Sequence, residues 1–274
     1  MHGGSVSIIL PCYNEGSRIA VTLGTISSWF TPPPEVVVAD DGSVDDTLAH
    51  AQAYAEIHPH VRLVALPHGG KGSAIRAAIP LVSNDLVIVV DADLPFDRAS
   101  VAGTVEALAD ADLAAGNRRH RDSRYTVPVR LFGFLYRRHL VGFTFNLFVR
   151  GLLQLPHADT QCGLKGFRRE ALQRLAPLLT TNGFAIDVEI LLAARALGLT
   201  IVEVPVHVRY ESAASTVRIV QTAVSMAGDL GRIVLRRARG CYSPRRLRGG
   251  GASSRQPAAP LSRPGPSPRP DLEE

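Results

Sequence analysis

Short aliphatic and β-branched runs alternate along the chain with longer stretches in which apolar positions recur every three or four residues. Val6–Leu10, Val36–Asp40, Val61–Leu66 and Leu86–Asp91 are nearly continuous apolar runs, the pattern of strands buried on both faces. Ser17–Ser28, Val44–Ile57 and Gly72–Val82 lie between them with helical spacing. Arg98–Ala109 follows the fourth strand as a helix, and Leu113–Ala115 is a short fifth strand. This alternation predicts an α/β chain built on a mostly parallel, doubly wound sheet. Farther on, Ala185–Leu197 reads as a helix, Ile201–Val206 as a strand and Val217–Arg239 as a long final helix. There is no internal repeat.

Between Thr126 and Leu155 the pattern changes to phenylalanine and leucine, interrupted by Arg130, Arg137, Arg138 and Arg150. Gly142 stands in the middle and divides the stretch into two predicted helices. Apolar faces edged by arginine describe helices lying in a membrane interface. The alternative is a pair of core helices whose arginines reach past the apolar surface to water.

Composition adds boundaries to this picture. A hydrophobic share of 46% with 20% charged residues is ordinary for a chain that buries a sizeable core. Ser243–Glu274 departs from it, being rich in Pro, Gly, Ser, Ala and Arg, and is predicted to be a disordered tail after a folded domain spanning 1–242. The net charge of +5 is uneven, because eight arginines face Asp122 alone between Asn117 and Arg150. A basic block in an otherwise acidic chain points to an anionic partner or to a solvated face. Cys12, Cys162 and Cys241 form no CxxC pair and fit a reduced compartment without a zinc site or structural disulfide. The chain enters its first strand almost at once, leaving no room for a signal peptide, and no window reaches about 18 uncharged apolar residues. Peripheral attachment at the cytoplasmic face is therefore the expected mode of any membrane contact.

Candidate chemistry gathers where strands end. In parallel α/β sheets ligands collect beyond the carboxyl ends of the strands. Glu15 follows the first strand, Asp40 and Asp41 the second, and Asp91 and Asp93 the fourth. Burying carboxylates without partners is costly, so acids at one edge suit a metal or polar substrate groups. In Val87-Ile88-Val89-Val90-Asp91-Ala92-Asp93 the two carboxylates alternate and can address one cation, Mg²⁺ or Mn²⁺, against a diphosphate; a capping pair is the structural alternative. Gly69-Gly70-Lys71-Gly72-Ser73 is no Walker loop, since Ala65 stands where glycine is required and Gly72 follows the lysine. It either sets Lys71 against a phosphate or makes a tight strand–helix connection. Asp159, in Asp159-Thr160-Gln161-Cys162-Gly163, can orient or deprotonate an acceptor, or make an Asx turn. Asp187 and Glu189 open a helix, where the dipole already favours acids.

Taken in order, these segments resemble family 2 glycosyltransferases, in particular the polyprenyl-phosphate (dolichyl-phosphate glucosyl- and mannosyl-) type. The likeness rests on Val6–Glu15, Asp40-Asp41-Gly42-Ser43, Gly70-Lys71-Gly72, Asp91-Ala92-Asp93, Asp159–Gly163 with Lys165-Gly166-Phe167, and Phe184–Glu189. It implies a GT-A fold and an inverting transfer of a hexose, glucose from UDP-glucose or mannose from GDP-mannose, to a polyprenyl phosphate. It implies that Pro11, Tyr13, Asn14 and Glu15 border the nucleotide with Asp41 near the base, and that Lys71, Asp91 and Asp93 serve the donor. Asp91 and Asp93 would hold the metal, and Arg118 and Arg209 would face phosphate. Arg137 and Arg138 fall where relatives carry juxtamembrane helices. Pro95, and Ala214-Ser215-Thr216 where relatives carry Gly-Ser-Lys, depart from the pattern. A same-fold transferase with a soluble or protein acceptor is the nearer rival. A non-catalytic nucleotide or nucleic-acid module is the remoter one, and phenylalanines at helical spacing among leucines disfavour a nucleic-acid partner.

Overall fold

A computed structural model describes residues 6–129, 132–210 and 219–243, with the side chains of 132–141 and 219–224 outside the description. The apolar runs form β1 (Val6–Cys12), β2 (Glu35–Asp40), β3 (Val61–Ala65), β4 (Leu86–Val89) and β5 (Leu113–Asn117). Two further strands, β7 (Lys165–Arg168) and β8 (Ile201–Pro205), complete a seven-stranded sheet of order β3-β2-β1-β4-β7-β5-β8. Every pairing is parallel except those of β7, which runs antiparallel between β4 and β5. β6 (Arg124–Thr126) and β9 (His207–Arg209) pair in a small separate sheet.

Alternate side chains of the strands enter two cores. On one face Ile9, Val37, Val87, Val89 and Leu113 pack with α3 (Lys71–Ala78), α6 (Arg169–Leu175) and α7 (Ile186–Ala196). On the other, Ile8, Leu10, Val36, Val38 and Ile88 pack with α1 (Ile19–Ser28), α2 (Thr47–Ile57) and α4 (Arg98–Ala107). This period of two explains the continuous apolar strands, since both faces are covered. Asp97 caps α4, accepting from the Ser100 amide at 2.9 Å.

One expectation is corrected. Gly142 does not divide two helices: α5 (Phe132–Leu153) runs through it unbroken. A glycine inside a helix costs only about 1 kcal/mol relative to alanine. Val149 and Leu153 beyond it are buried against the core and hold the second half in line. The opposite face of the same turns carries Phe143, Leu147, Phe148 and Leu152, all exposed. The last helix, α8 (Ile219–Ala238), buries Met226, Leu230 and Ile233. No helix among the described residues is long and apolar enough to cross a membrane. The tail from 244 on, and Ala214-Ser215-Thr216, lie outside the described residues.

Candidate active site

The sheet brings one group of polar residues to a single edge. The loops after β1, β2, β3, β4 and β5 all leave from the carboxyl ends of parallel strands. Because β7 is antiparallel, the loop that precedes it, Asp159–Leu164, reaches the same edge. The start of α7 closes the group.

The first loop is tied to the second. Asn14, at φ 54°, donates from its amide to Ser43 Oγ at 2.9 Å and accepts from the Val44 amide at 2.9 Å. Asparagine tolerates this left-handed backbone better than most residues. Pro11 is buried in β1, opposite Ala39 of β2. Tyr13 stacks on His68 with ring centroids 4.3 Å apart. Glu15 forms an ion pair with Arg18 at 2.9 Å. Burial pushes its carboxyl up to about 6; Arg18 opposes the shift, and Asp93, Asp45 and Asp91 reinforce it.

Asp41 is 3% exposed and shapes the next loop rather than facing outward. Its carboxylate accepts from the amides of Gly69 and Gly70, each at 2.8 Å, and lies 2.9 Å from His68 Nδ1. Gly70 has φ 103°, and a Cβ there would come within 2.6 Å of the Asn182 carbonyl oxygen, so only glycine fits. α3 begins one residue later, with Lys71.

Lys71 Nζ sits 2.8 Å from Asp91 Oδ1 and 3.1 Å from Asp187 Oδ2. The other carboxylate oxygen of Asp187 receives Lys165 Nζ at 2.6 Å, and Lys165 also donates to the Cys162 carbonyl at 2.6 Å. The Lys165 side chain is 2% exposed. Burial disfavours charge on both Lys71 and Asp187. The opposite charges outweigh it, raising the lysine and holding the aspartate below the usual carboxylate range. Two ammonium groups and two carboxylates make a neutral cluster. Gly163 completes it, because a Cβ there would collide with the Asp91 carboxylate.

Asp93 is exposed at the rim, two residues on, where Leu94 at φ 43° turns the chain back and donates from its amide to the Asp91 carbonyl at 3.0 Å. Among the described residues no group of three or more His, Cys, Asp or Glu side chains could hold a metal ion. A cation at Asp93 would need further oxygens from a ligand, as Mg²⁺-type sites with one or two carboxylates and substrate phosphates have. The residues present fit that arrangement.

Asp159, 3% exposed, is engaged in a bidentate pair with Arg118, at 2.7 Å to Nε and 3.0 Å to Nη2. Burial would raise its carboxyl, but Arg118 and the amides of Gln161 and Arg118 outweigh burial and bring it to about 2. Asn146 of α5 fastens this loop, donating to the Ala158 carbonyl at 3.0 Å and accepting from the Thr160 amide at 3.0 Å. Burial pushes the Cys162 thiol up to about 12, which leaves no thiolate nucleophile there. Arg209 is 56% exposed on its side chain, with its amide donating to the Pro95 carbonyl at 2.7 Å. The side chains of Arg137 and Arg138 lie outside the described residues.

The edge thus joins Glu15, Asp41, Lys71, Asp91 and Asp93 through direct contacts or shared electrostatics, and sets Arg118–Asp159 one short loop away. Sequence reasoning missed Asp187 and Lys165 as members. Asp187 read as an ordinary first-turn acid, whereas it bridges both lysines of the chain. Glu189 is a clamp, accepting from the Thr180 and Thr181 amides at 2.9 and 2.7 Å and from Tyr242 Oη at 2.8 Å.

A family model described as glycosyl transferase family 2 matches residues 7–176. A dolichyl-phosphate beta-glucosyltransferase of Dictyostelium discoideum is 31% identical over 247 residues, covering 84% of this chain and 74% of that protein. The human protein of the same description is 30% identical over 220 residues, covering 74% and 66%. Among solved structures, glucosyl-3-phosphoglycerate synthase of Mycobacterium tuberculosis in complex with UDP superposes with a TM-score of 0.61 at 23% identity, covering 84% of this chain and 80% of that one. The same enzyme with Mn²⁺, UDP-glucose and glycerol 3-phosphate gives 0.59 at 21%, covering 88% and 81%.

Proposed function

The chain belongs to glycosyltransferase family 2 and has the GT-A fold, and from that premise we propose that it moves glucose from UDP-glucose to a polyprenyl phosphate with inversion at the sugar. The observation that carries the donor half is the contact chain from Asp41 through Gly70 and Lys71 to Asp91. It ties three strand ends into one rim and leaves Asp93 exposed beside it. The Tyr13–His68 stack would border the base, with Asp41 holding the loop that supports it.

Asp93, with Asp91, would hold a divalent cation, Mg²⁺ or Mn²⁺; the Mycobacterium tuberculosis synthase was crystallised with Mn²⁺. When bound, such a cation neutralises the charge that collects on the diphosphate as it departs. An oxygen of the acceptor phosphate attacks C1 of the glucose, the bond from C1 to the β-phosphate oxygen breaks, and UDP leaves with the bonding pair. The attacking oxygen is already anionic, so no proton has to be removed. Asp159, ionised and locked to Arg118, serves as an orienting group rather than a base.

For the acceptor half, the names of the Dictyostelium discoideum and human relatives supply the substrate class. The exposed Phe143, Leu147, Phe148 and Leu152 on α5 supply an apolar face for the lipid and the membrane surface. Attachment is peripheral, at the cytoplasmic leaflet. A soluble phosphorylated acceptor is the second reading, favoured by the structural likeness to the synthase above.

One assay separates the two. Purified protein is offered UDP-glucose or GDP-mannose with a short-chain polyprenyl phosphate or with 3-phosphoglycerate, in Mn²⁺, Mg²⁺ or EDTA. Products are read by mass. Hexosyl polyprenyl phosphate from UDP-glucose alone is expected. A glycoside of the soluble acceptor replaces the lipid assignment, GDP-mannose turnover replaces the donor, and turnover in EDTA removes the metal.

A further inference from the structure

The first turn of α3, which begins with Lys71, has no side-chain cap, because its N-cap residue is Gly70. Amides at a helix start need acceptors from elsewhere. One backbone carbonyl supplies them: that of Asn182 accepts from the Gly72 amide at 2.6 Å and from the Ser73 amide at 3.1 Å. The Asn182 side chain adds a bond from the Arg76 guanidinium to its Oδ1. The fit is close, since a Cβ on Gly72 would collide with the Thr181 carbonyl oxygen. The place of Lys71, and with it the contact to Asp91, therefore depends on where the chain runs between Thr180 and Gly183.

That stretch is held from a second side. Glu189, on α7 and fully buried, accepts through Oε2 from the Thr180 and Thr181 amides at 2.9 and 2.7 Å. Its other oxygen accepts from Thr180 Oγ1 at 3.1 Å and from Tyr242 Oη at 2.8 Å. A carboxylate taken out of water is costly unless its oxygens find donors, and here four donors meet them. Tyr242 lies beyond the end of α8 and is 3% exposed, with the Arg236 guanidinium over its ring at 5.3 Å from the centroid. Arg236 itself donates to the Leu178 carbonyl at 3.0 Å. The end of the folded chain is thus bonded to the loop on which α3 starts.

We propose that Glu189 and Tyr242 are positioning residues for the donor site. The latch they form fixes the loop from Thr180 to Gly183, the loop fixes the first turn of α3, and that turn sets Lys71 against Asp91. The inference rests on the reading of the donor given above.

Two measurements on the full chain decide it. Hydrogen exchange without ligand reads the latch, and titration with UDP and Mn²⁺ reads its consequence. Tyr242→Phe keeps the ring under Arg236 and removes only the hydrogen donated to Glu189. Exchange at the Thr180, Thr181, Gly72 and Ser73 amides should quicken severalfold, while amides of β1 and β2 keep the wild-type rates. A loop released part of the time lowers the fraction of chains ready for the donor, and apparent affinity falls by that fraction. Kd for UDP and KM for UDP-glucose should rise about 3- to 10-fold, the scale of one hydrogen bond, with kcat at saturating donor and KM for the acceptor unchanged. Glu189→Gln keeps an acceptor oxygen but loses the charge that strengthens its bonds, and should move the same readouts in the same direction. Unchanged exchange at Gly72 and Ser73 overturns the proposal, as does faster exchange there with unaltered UDP affinity. A uniform rise that includes β1 and β2 overturns it too, since the effect is then one of overall stability. A wild-type chain that binds no UDP overturns the donor reading, and the exchange rates still decide whether the latch holds α3.

Discussion

Glu15 shows what the rim demands of a single side chain. Its carboxyl is raised from 4.5 to about 6, first by burial and then by the nearby acids, against the pull of Arg18. The folded chain therefore holds this proton more tightly than the unfolded chain between those two values. The associated stability is fully present below pH 4.5 and is lost as pH rises through 6. Glu15→Gln removes that loss. Its urea midpoint should exceed the wild type's at pH 7.5, with the gap narrowing toward pH 4.5; equal midpoints at pH 7.5 would sink this. The sequence showed Glu15, Asp91 and Asp93 as a group because their positions after strands are visible in one dimension. Asp187 was not legible in the same way, since its first-turn position already accounts for an acid. A subtler signal was present. The chain has 30 basic residues of the Lys/Arg type, only Lys71 and Lys165 are lysines, and both meet Asp187. A compact ammonium fits between two close carboxylates where a planar guanidinium does not.

Among the elements, α5 and β7 carry what periodicity could not supply. The five first strands were predicted within a residue or two because apolar runs mark strands covered on both faces. β7 is four residues with a lysine and an arginine at its ends. No period can be read from so short a segment, and its antiparallel insertion depends on partners remote in the chain. α5 was legible as amphipathic but not as one helix, because glycine is a stronger stop in sequence patterns than in a packed helix. Its two faces now separate. Asn146, Val149 and Leu153 are buried, while Leu147 and Phe148 are 57% and 60% exposed. Substituting both outward residues, Leu147→Gln with Phe148→Gln, should leave the fold intact and reduce flotation with vesicles containing anionic lipid severalfold. Each apolar side chain contributes about 1.5–3 kcal/mol when buried and nothing when it faces water. Undiminished flotation of the folded double variant would detach α5 from the membrane surface.

At the scale of the whole molecule, the site exists only because the doubly wound sheet returns distant loops to one edge. Residues from Tyr13 to Asp187 converge there, and their joining contacts span as many as 116 positions, from Lys71 to Asp187. A ligand bridging those loops binds the folded chain and has no site in the unfolded one, so its binding must appear as stability. At a hundredfold excess over Kd the gain is about 2.7 kcal/mol, which for a domain of this size is a rise in Tm of roughly 5–10 °C. UDP with Mn²⁺ should produce it, and EDTA should remove the part that depends on the cation. Asp93 is exposed and distinct from the neutral Lys71–Asp91–Asp187–Lys165 cluster. Asp93→Ala should therefore melt like the wild type without ligand, yet gain little from Mn²⁺ beyond what UDP alone gives. The same substitution at Asp187 would confound the test, because it leaves Lys71 with Asp91 alone and the buried Lys165 with no carboxylate. If Asp93→Ala keeps the full Mn²⁺-dependent rise, the cation is held elsewhere on the rim, and Asp93 loses its place in the donor site.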